Sequence, residues 1–307
     1  MRLLVTGVSG LLGLNLAHEA TAHHEVIGTH RGQLPSAPFA SFAADLTQPD
    51  APERLLDSAS PDWVVNCAAL ADVDRCESDP ESAYDLNSRF PGRLARECRS
   101  RQIGLVHIST DAVFDGTKAS AYSEDDTPNP RGVYGRSKLD GELAVLGVYP
   151  DAIVARVNFF GWSLSGKRSL AEFFFTNLGA GRQVKGFTDV IFCPMLANHL
   201  GRILLGMLER GLTGLFHVVG PQPMSKFEFG RQIARRFGLD PALISPSSVR
   251  ESGLAAQRSL NLSLSIHKIS TAVPAEIPAF STGLAEFYQQ HAQGYPQLLR
   301  GYAQAPA

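Results

Sequence analysis

The stretch "TGVSGLLG" (6–13) constrains this chain more than any other. It follows an apolar run, "RLLVTG" (2–7), and opens an amphipathic segment, "LLGLNLAHEA" (11–20). Strand, glycine turn and helix in that order carry the backbone close to whatever sits over the helix amino end. Glycine is needed there because the chain must turn sharply and let phosphate oxygens reach free N–H groups. Gly7, Gly10 and Gly13 stand in G-x-x-G-x-x-G spacing rather than the G-x-G-x-x-G fingerprint, but in the same strand-to-helix context. Gly7, Gly10, Leu11, Leu12 and Gly13 are therefore the candidate phosphate side of a dinucleotide site.

The rest of the first half repeats the alternation. Strand-like runs are "EVIGTH" (25–30), "WVVNCAA" (63–69), "GLVHIS" (104–109) and "AIVARVN" (152–158), with a shorter one in "FASFAADL" (39–46). Between them lie helical patterns, the longest spanning 81–101. Continuous β-branched runs separated by helices predict a parallel sheet covered on both faces. The fold class is therefore α/β, a Rossmann-type doubly wound parallel sheet with a smaller C-terminal α/β substrate-binding region. Ligands belong beyond the carboxyl ends of its strands. The dinucleotide-binding domain is expected over 1–158, rejoined near 186–215, with 159–185 and 216–307 forming the substrate-binding region. In the latter, Ser225 and Glu228 form a capping box opening a helix within 222–238.

At 307 residues, 44% hydrophobic and 19% charged, the composition is that of an ordinary globular protein. A net charge of −2 gives no electrostatic case for nucleic acid or an anionic membrane as main partner. The basic run "RQIARRFG" (231–238) reads as the wet face of a helix with Ile233, Ala234 and Phe237 turned inward. Cys67, Cys76, Cys98 and Cys193 form no C-x-x-C pair and no metal-like cluster with histidine, so no metal site is expected. Reduced thiols and the lack of a signal-peptide pattern or a long apolar run predict a cytoplasmic protein.

Three strand ends complete the cofactor reading. The second strand ends in His30 and Arg31, with no acid to pair with ribose hydroxyls. An arginine there can pair with a 2′-phosphate, so NADP is the expected cofactor, with NAD as the alternative. Asp45 can accept from an adenine amino group while Leu46 packs on the ring. Asn66 and the small residues Cys67, Ala68 and Ala69 leave room for a dinucleotide along the next strand end.

"VYGRSKLDGE" (133–142) sets Tyr134 and Lys138 four residues apart, on one face of a helix. A nearby ammonium, together with a positively charged nicotinamide, favours phenolate, so the two are expected to lower the tyrosine pKa, and the lysine to hold the nicotinamide ribose. Tyr134 could then donate a proton to a carbonyl oxygen as hydride reaches carbon. "HISTDAVFDG" (107–116) ends a strand in hydroxyls, and Thr110 (or Ser109) can polarise that carbonyl.

With "TGVSGLLG", "NCAA", "STDAVFDG" and "YGRSKLDGE" in order, and "LNLSLSIHKI" late in the sequence, nearly the whole chain resembles the extended short-chain dehydrogenase/reductases. Within them it looks most like the dTDP-4-dehydrorhamnose reductase family. The resemblance implies Thr110, Tyr134 and Lys138 as the catalytic set, Asp111 beside the substrate, and reduction of the 4-keto group of a dTDP-linked 6-deoxyhexose. A nucleotide sugar is the implied partner, and a homodimer is compatible with the reading. Two positions depart from the family: Ala112 stands where tyrosine is usual, and Phe159, after Asn158, where tryptophan is frequent. Both lie towards the sugar in the family, so Asp111, Ala112, Asn158 and Phe159 are the candidate substrate residues. The regulatory β subunit of methionine adenosyltransferase has a similar sequence, giving a non-catalytic alternative. A sugar-nucleotide epimerase or dehydratase of the same fold is another, although the acid pair of dehydratases is missing beside Thr110.

Overall fold

In a computed structural model the chain is described over residues 1–304, apart from 33, 35, 252–258 and 274–276. Its centre is a parallel sheet built from β1 (Arg2–Thr6), β2 (Glu25–His30), β3 (Ala40–Ala43), β4 (Trp63–Asn66), β5 (Gly104–Thr110), β6 (Ile153–Val157) and a last strand, Gly214–Val218. Across the sheet the order is Gly214–Val218, β6, β5, β4, β1, β2, β3, with every pairing parallel. The order reverses between β1 and β4, and the crevice at such a reversal is where α/β sheets bind ligands.

Alternate residues of each strand feed two cores. On one face Leu3, Val5, Val65 and Val106 pack with Leu14, Leu16, Leu200 and Leu204 from helices Leu11–Ala20 and Ala197–Glu209. On the other, Leu4, Val64, Leu105 and Val154 pack with Leu55, Leu94 and Val145 from helices Ala51–Ala59, Phe90–Ser100 and Val133–Val148. Burial on both faces explains the continuous apolar runs. The later region centres on aromatics: Trp162 stacks on Phe287 with ring centroids 4.0 Å apart, and Phe160 meets Phe229, Phe280 and Phe287.

Several boundaries differ from the sequence expectation for definable reasons. β3 stops at Ala43, and Asp45 turns the chain by accepting from the Thr47 N–H at 3.0 Å. The helical pattern of 81–101 is divided into Pro80–Tyr84, a wide π-turn at Asp85–Arg89 and Phe90–Ser100. Pro91 has no N–H for the Asn87 carbonyl, so the ladder widens and Phe90 bonds Asp85 instead. The sheet claims residues 216–218, which the expected boundary at 215 assigns to the substrate region, because Phe216, His217 and Val218 pair in register with Ala155, Arg156 and Val157. At Ser225 half the expected capping box is present: the hydroxyl accepts from Glu228 N at 3.1 Å. A reciprocal box forms at Ser169 and Glu172, opening helix Leu170–Gly179.

Candidate active site

The glycine turn is shaped as its spacing requires. Gly7 has φ +70°, and a Cβ there would lie 2.9 Å from Ala68 Cα. The Gly10 N–H donates to the Gly7 carbonyl at 2.8 Å, and a Cβ on Gly13 would overlap that same oxygen. The turn therefore brings β1, the β4 end and the helix start together at van der Waals distance.

Over it opens a cleft of about 700 Å³, its mouth included, a size suited to a large ligand. Gly7, Gly10, His30, Arg31, Asp45, Leu46, Cys67, Ala68 and Ala69 all line it. Leu11, Leu12 and Gly13 do not; they are buried in the first helical turn behind it. The cleft also takes in residues the sequence reading passed over: Ser9, Thr29, Ala44, Thr47, Leu86 and Arg168. Arg31 is exposed at the rim, whereas the His30 ring is buried and held at 3.2 Å by the Ser41 hydroxyl. Hydrogen bonds from Gln48 and Thr47 hold the Asp45 carboxyl below the usual carboxylate range. An extended dinucleotide fits this lining: backbone without side chains at the turn, small residues along one wall and a cation beyond β2.

At the β5 end the chain gathers the reactive groups. Strand alternation separates the two hydroxyls. Ser109 donates to Glu142 Oε1 at 2.5 Å, inside a buried network in which Glu142 also receives the Arg156 guanidinium at 2.7 Å. Ser109 is thereby committed to the interior. Thr110 instead donates to Asp111 Oδ1 at 3.0 Å, and Asn158 donates to Asp111 Oδ2 at 2.6 Å. Phe159 is half-buried in a short strand against Met195 and packs on the main core.

Helix Val133–Val148 brings up Tyr134 and Lys138. Glu77 caps its amino end by accepting from Val133 N at 2.7 Å. Two glycines set its distance: a Cβ at Gly135 would overlap the Ala112 carbonyl oxygen, and one at Gly141 would overlap that of Asn87. Asn87 also ties the loop after β4 to this helix, bonding Leu70 N at 2.8 Å and the Ser137 hydroxyl at 3.0 Å. Nothing in the spacing around Asn87 marks that role. At the next strand ends, Thr6 donates to Asn66 at 2.6 Å and Asn66 meets His107 Nδ1 at 3.0 Å, a polar row beneath the cleft.

In the protein alone the ionisation of the pair differs from the expectation in the part assigned to the lysine. Burial pushes the Tyr134 phenol up to about 12, a hydrogen bond with Thr110 offsetting part of the rise. Lys138 does not lower it, because its ammonium is turned to the Ile108 carbonyl at 2.6 Å. Burial pulls the lysine itself down to about 8. Tyr134 is therefore a neutral phenol at neutral pH, the state that carries a proton to give. Burial also raises Asp111 to about 6 and the Cys67 thiol to about 12.

Tyr134, Thr110 and Lys138 do not line that cleft; they lie behind it at the β5 end, where the Lys138 charge acts on the lining residue Cys67. A dinucleotide-shaped cleft over a glycine turn, with a protonated phenol, a threonine and a buried lysine gathered at a neighbouring strand end, belongs to a short-chain dehydrogenase/reductase, an NAD(P)-dependent oxidoreductase. Comparison with known proteins narrows this: the family described as RmlD substrate binding domain matches residues 1–293, and the chain belongs to it. It is 35% identical over 289 residues to the "probable low-salt glycan biosynthesis reductase Agl14" of Haloferax volcanii, covering 93% of this chain and 96% of that one. It is 35% identical over 269 residues to the dTDP-4-dehydrorhamnose reductase of Mycobacterium tuberculosis, covering 86% and 84%. A crystal structure titled as a hypothetical dTDP-4-dehydrorhamnose reductase from Sulfolobus tokodaii superposes with a TM-score of 0.82 at 32% identity, covering 92% and 99%. Among the described residues no helix is long and apolar enough to cross a membrane.

Proposed function

We propose that this chain reduces the 4-keto group of a nucleotide-linked 6-deoxy sugar of the dTDP-4-dehydrorhamnose type, with NADPH preferred over NADH. The observation that carries the reading is the gathering of Tyr134, Thr110 and Lys138 at the β5 end, with Lys138 bonded to the Ile108 carbonyl and the buried phenol neutral. Gly7, Gly10, Arg31, Leu46, Ala68 and Ala69 would hold the dinucleotide, which when bound supplies the hydride. Tyr134 gives its proton to the developing alkoxide, and Thr110 keeps the carbonyl oxygen polarised. Lys138 fixes the helix, and with it Tyr134, against β5 through the Ile108 carbonyl. Asp111, held by Asn158 and Thr110, edges the sugar, and Ala112 and Phe159 shape its site. The sheet through Val218 forms the cofactor-binding part, and 159–185 with most of the chain after Val218 forms the substrate-binding part. A cytoplasmic setting and a homodimer complete the proposal.

The test is NADPH oxidation with dTDP-4-dehydrorhamnose and a small panel of nucleotide-linked keto-sugars, beside Tyr134→Phe. Wild type turns over at least one of them, and the variant loses about 10²- to 10⁴-fold in kcat. Tight NADPH binding without turnover on any sugar would replace this reading with a regulatory subunit.

A further inference from the structure

We infer that Arg168 is a cofactor-clamping residue: it binds the diphosphate of the dinucleotide, facing the glycine turn from the second half of the chain. The inference rests on the dinucleotide reading above and adds a contact that no motif announces.

Arg168 shares the cleft with Gly7, Ser9 and Gly10 although it is remote from them in sequence. Its loop is seated on the start of the first helix. Asn15 Nδ2 donates to the Trp162 carbonyl at 2.9 Å, and a Cβ on Gly161 would lie 3.5 Å from Leu11 Cδ1. Both ends of the loop are tied to one buried carboxylate. Glu172 Oε1 accepts from Ser163 N at 2.6 Å, and Oε2 accepts from Arg168 N at 2.9 Å and Ser169 N at 3.1 Å. The Arg168 backbone is thus fixed, while its side chain is exposed and has no hydrogen bond or ion pair among the described residues.

The charges in the cleft assign the two arginines. A dinucleotide of this kind brings a doubly charged diphosphate and, in the NADPH case, a 2′-phosphate. Arg31 directly follows β2, where the ribose 2′ position falls in this type of fold. Helix N–H groups and the dipole favour the diphosphate but supply no full charge. Arg168, carried on a loop that rests on that helix start, supplies it with a fork suited to phosphate oxygens.

The test measures equilibrium binding without sugar, for NADPH, NADH and adenosine 2′-monophosphate. Arg168→Gln weakens NADPH and NADH alike, by about tenfold, and leaves adenosine 2′-monophosphate unchanged; Arg168→Lys restores part of the loss. An unchanged Tm confirms that the loop is intact. Equal binding of both cofactors by Arg168→Gln and wild type, or a loss confined to NADPH, overturns the assignment. Wild-type protein that binds neither cofactor overturns the dinucleotide reading itself, and this inference with it.

Discussion

The Lys138 ammonium donates to the Ile108 carbonyl across 2.6 Å, inside the protein rather than towards the tyrosine one turn before it. The bond fastens helix Val133–Val148 to β5 two residues before Thr110. The cost is a charge taken out of water, visible in an ammonium drawn down from 10.5 to about 8. Between those pH values the unfolded chain holds the proton and the folded chain releases it, so this residue makes stability rise with pH across the window. Below pH 8 its burial is a penalty. Lys138→Met should therefore lose about 10²-fold or more in kcat, while Tm at pH 7 holds or rises by a few degrees. A Tm that falls at pH 7 would show the ammonium to be a net stabiliser instead.

Asp111 carries the opposite sign of problem. Burial raises it from 3.8 to about 6, against hydrogen bonds from Asn158 and Thr110 that favour the anion. As pH rises from about 4 to 6 the folded state keeps a proton that the unfolded state gives up, so stability declines and the penalty is complete above 6. As the carboxylate protonates it loses acceptor strength towards Thr110, which then orients the carbonyl less well. The kcat/KM profile should fall on an acid limb near pH 6, and Asp111→Asn should abolish that limb while raising Tm at pH 7.5 but not at pH 4. A wild-type profile flat through pH 6 would remove Asp111 from the chemistry.

Arg31 is the expected determinant of cofactor choice. It stands exposed at the cleft rim beyond β2, where the neighbouring His30 is already engaged by Ser41. Arg31→Ala should raise KM for NADPH by about tenfold and leave that for NADH within twofold, because a charge-assisted bond to the 2′-phosphate is lost in one case only. Steady-state kinetics with the two cofactors decide it; equal losses for both would place Arg31 on a shared part of the dinucleotide.

Local spacing made half of this site legible. Gly7, Gly10 and Gly13 answer to backbone geometry within one turn, and Tyr134 and Lys138 to one helical turn, so both read directly from sequence. Sequence proximity to the turn does not separate Leu11, Leu12 and Gly13, which lie behind the cleft, from the residues that line it. Arg168 and Asn87 were not legible, since each meets its neighbours across a long stretch of chain and no local motif marks either. Strand Gly214–Val218 was obscured by His217, a polar residue in an otherwise apolar run. Burial, reinforced by Arg156, lowers that histidine to about 3, so it sits in the sheet uncharged. The lysine's part in the Tyr134 shift was not legible for a related reason: spacing puts Lys138 on the same helix face, but only the structure shows which partner its ammonium takes.

The network behind Thr110 gives the last expectation. Ser109, Glu142 and Arg156 are buried together, with Arg156 also 3.4 Å from His217 and its guanidinium over the Phe114 ring at 4.9 Å. A buried ion pair adds little net stability over apolar side chains of equal size, but removing one partner strands a charge without solvent. Arg156→Met should cost about 3–5 kcal/mol in urea unfolding, whereas Arg156→Met combined with Glu142→Leu should recover most of that loss. Ser109→Ala, which removes one of several donors to Glu142, should cost only about 1–2 kcal/mol and leave kcat nearly unchanged. The network supports the strand end without touching the sugar, so all three variants should keep KM for NADPH near wild type wherever they remain folded. A double variant no more stable than Arg156→Met would mean that the guanidinium stabilises through Phe114 and His217 rather than through Glu142.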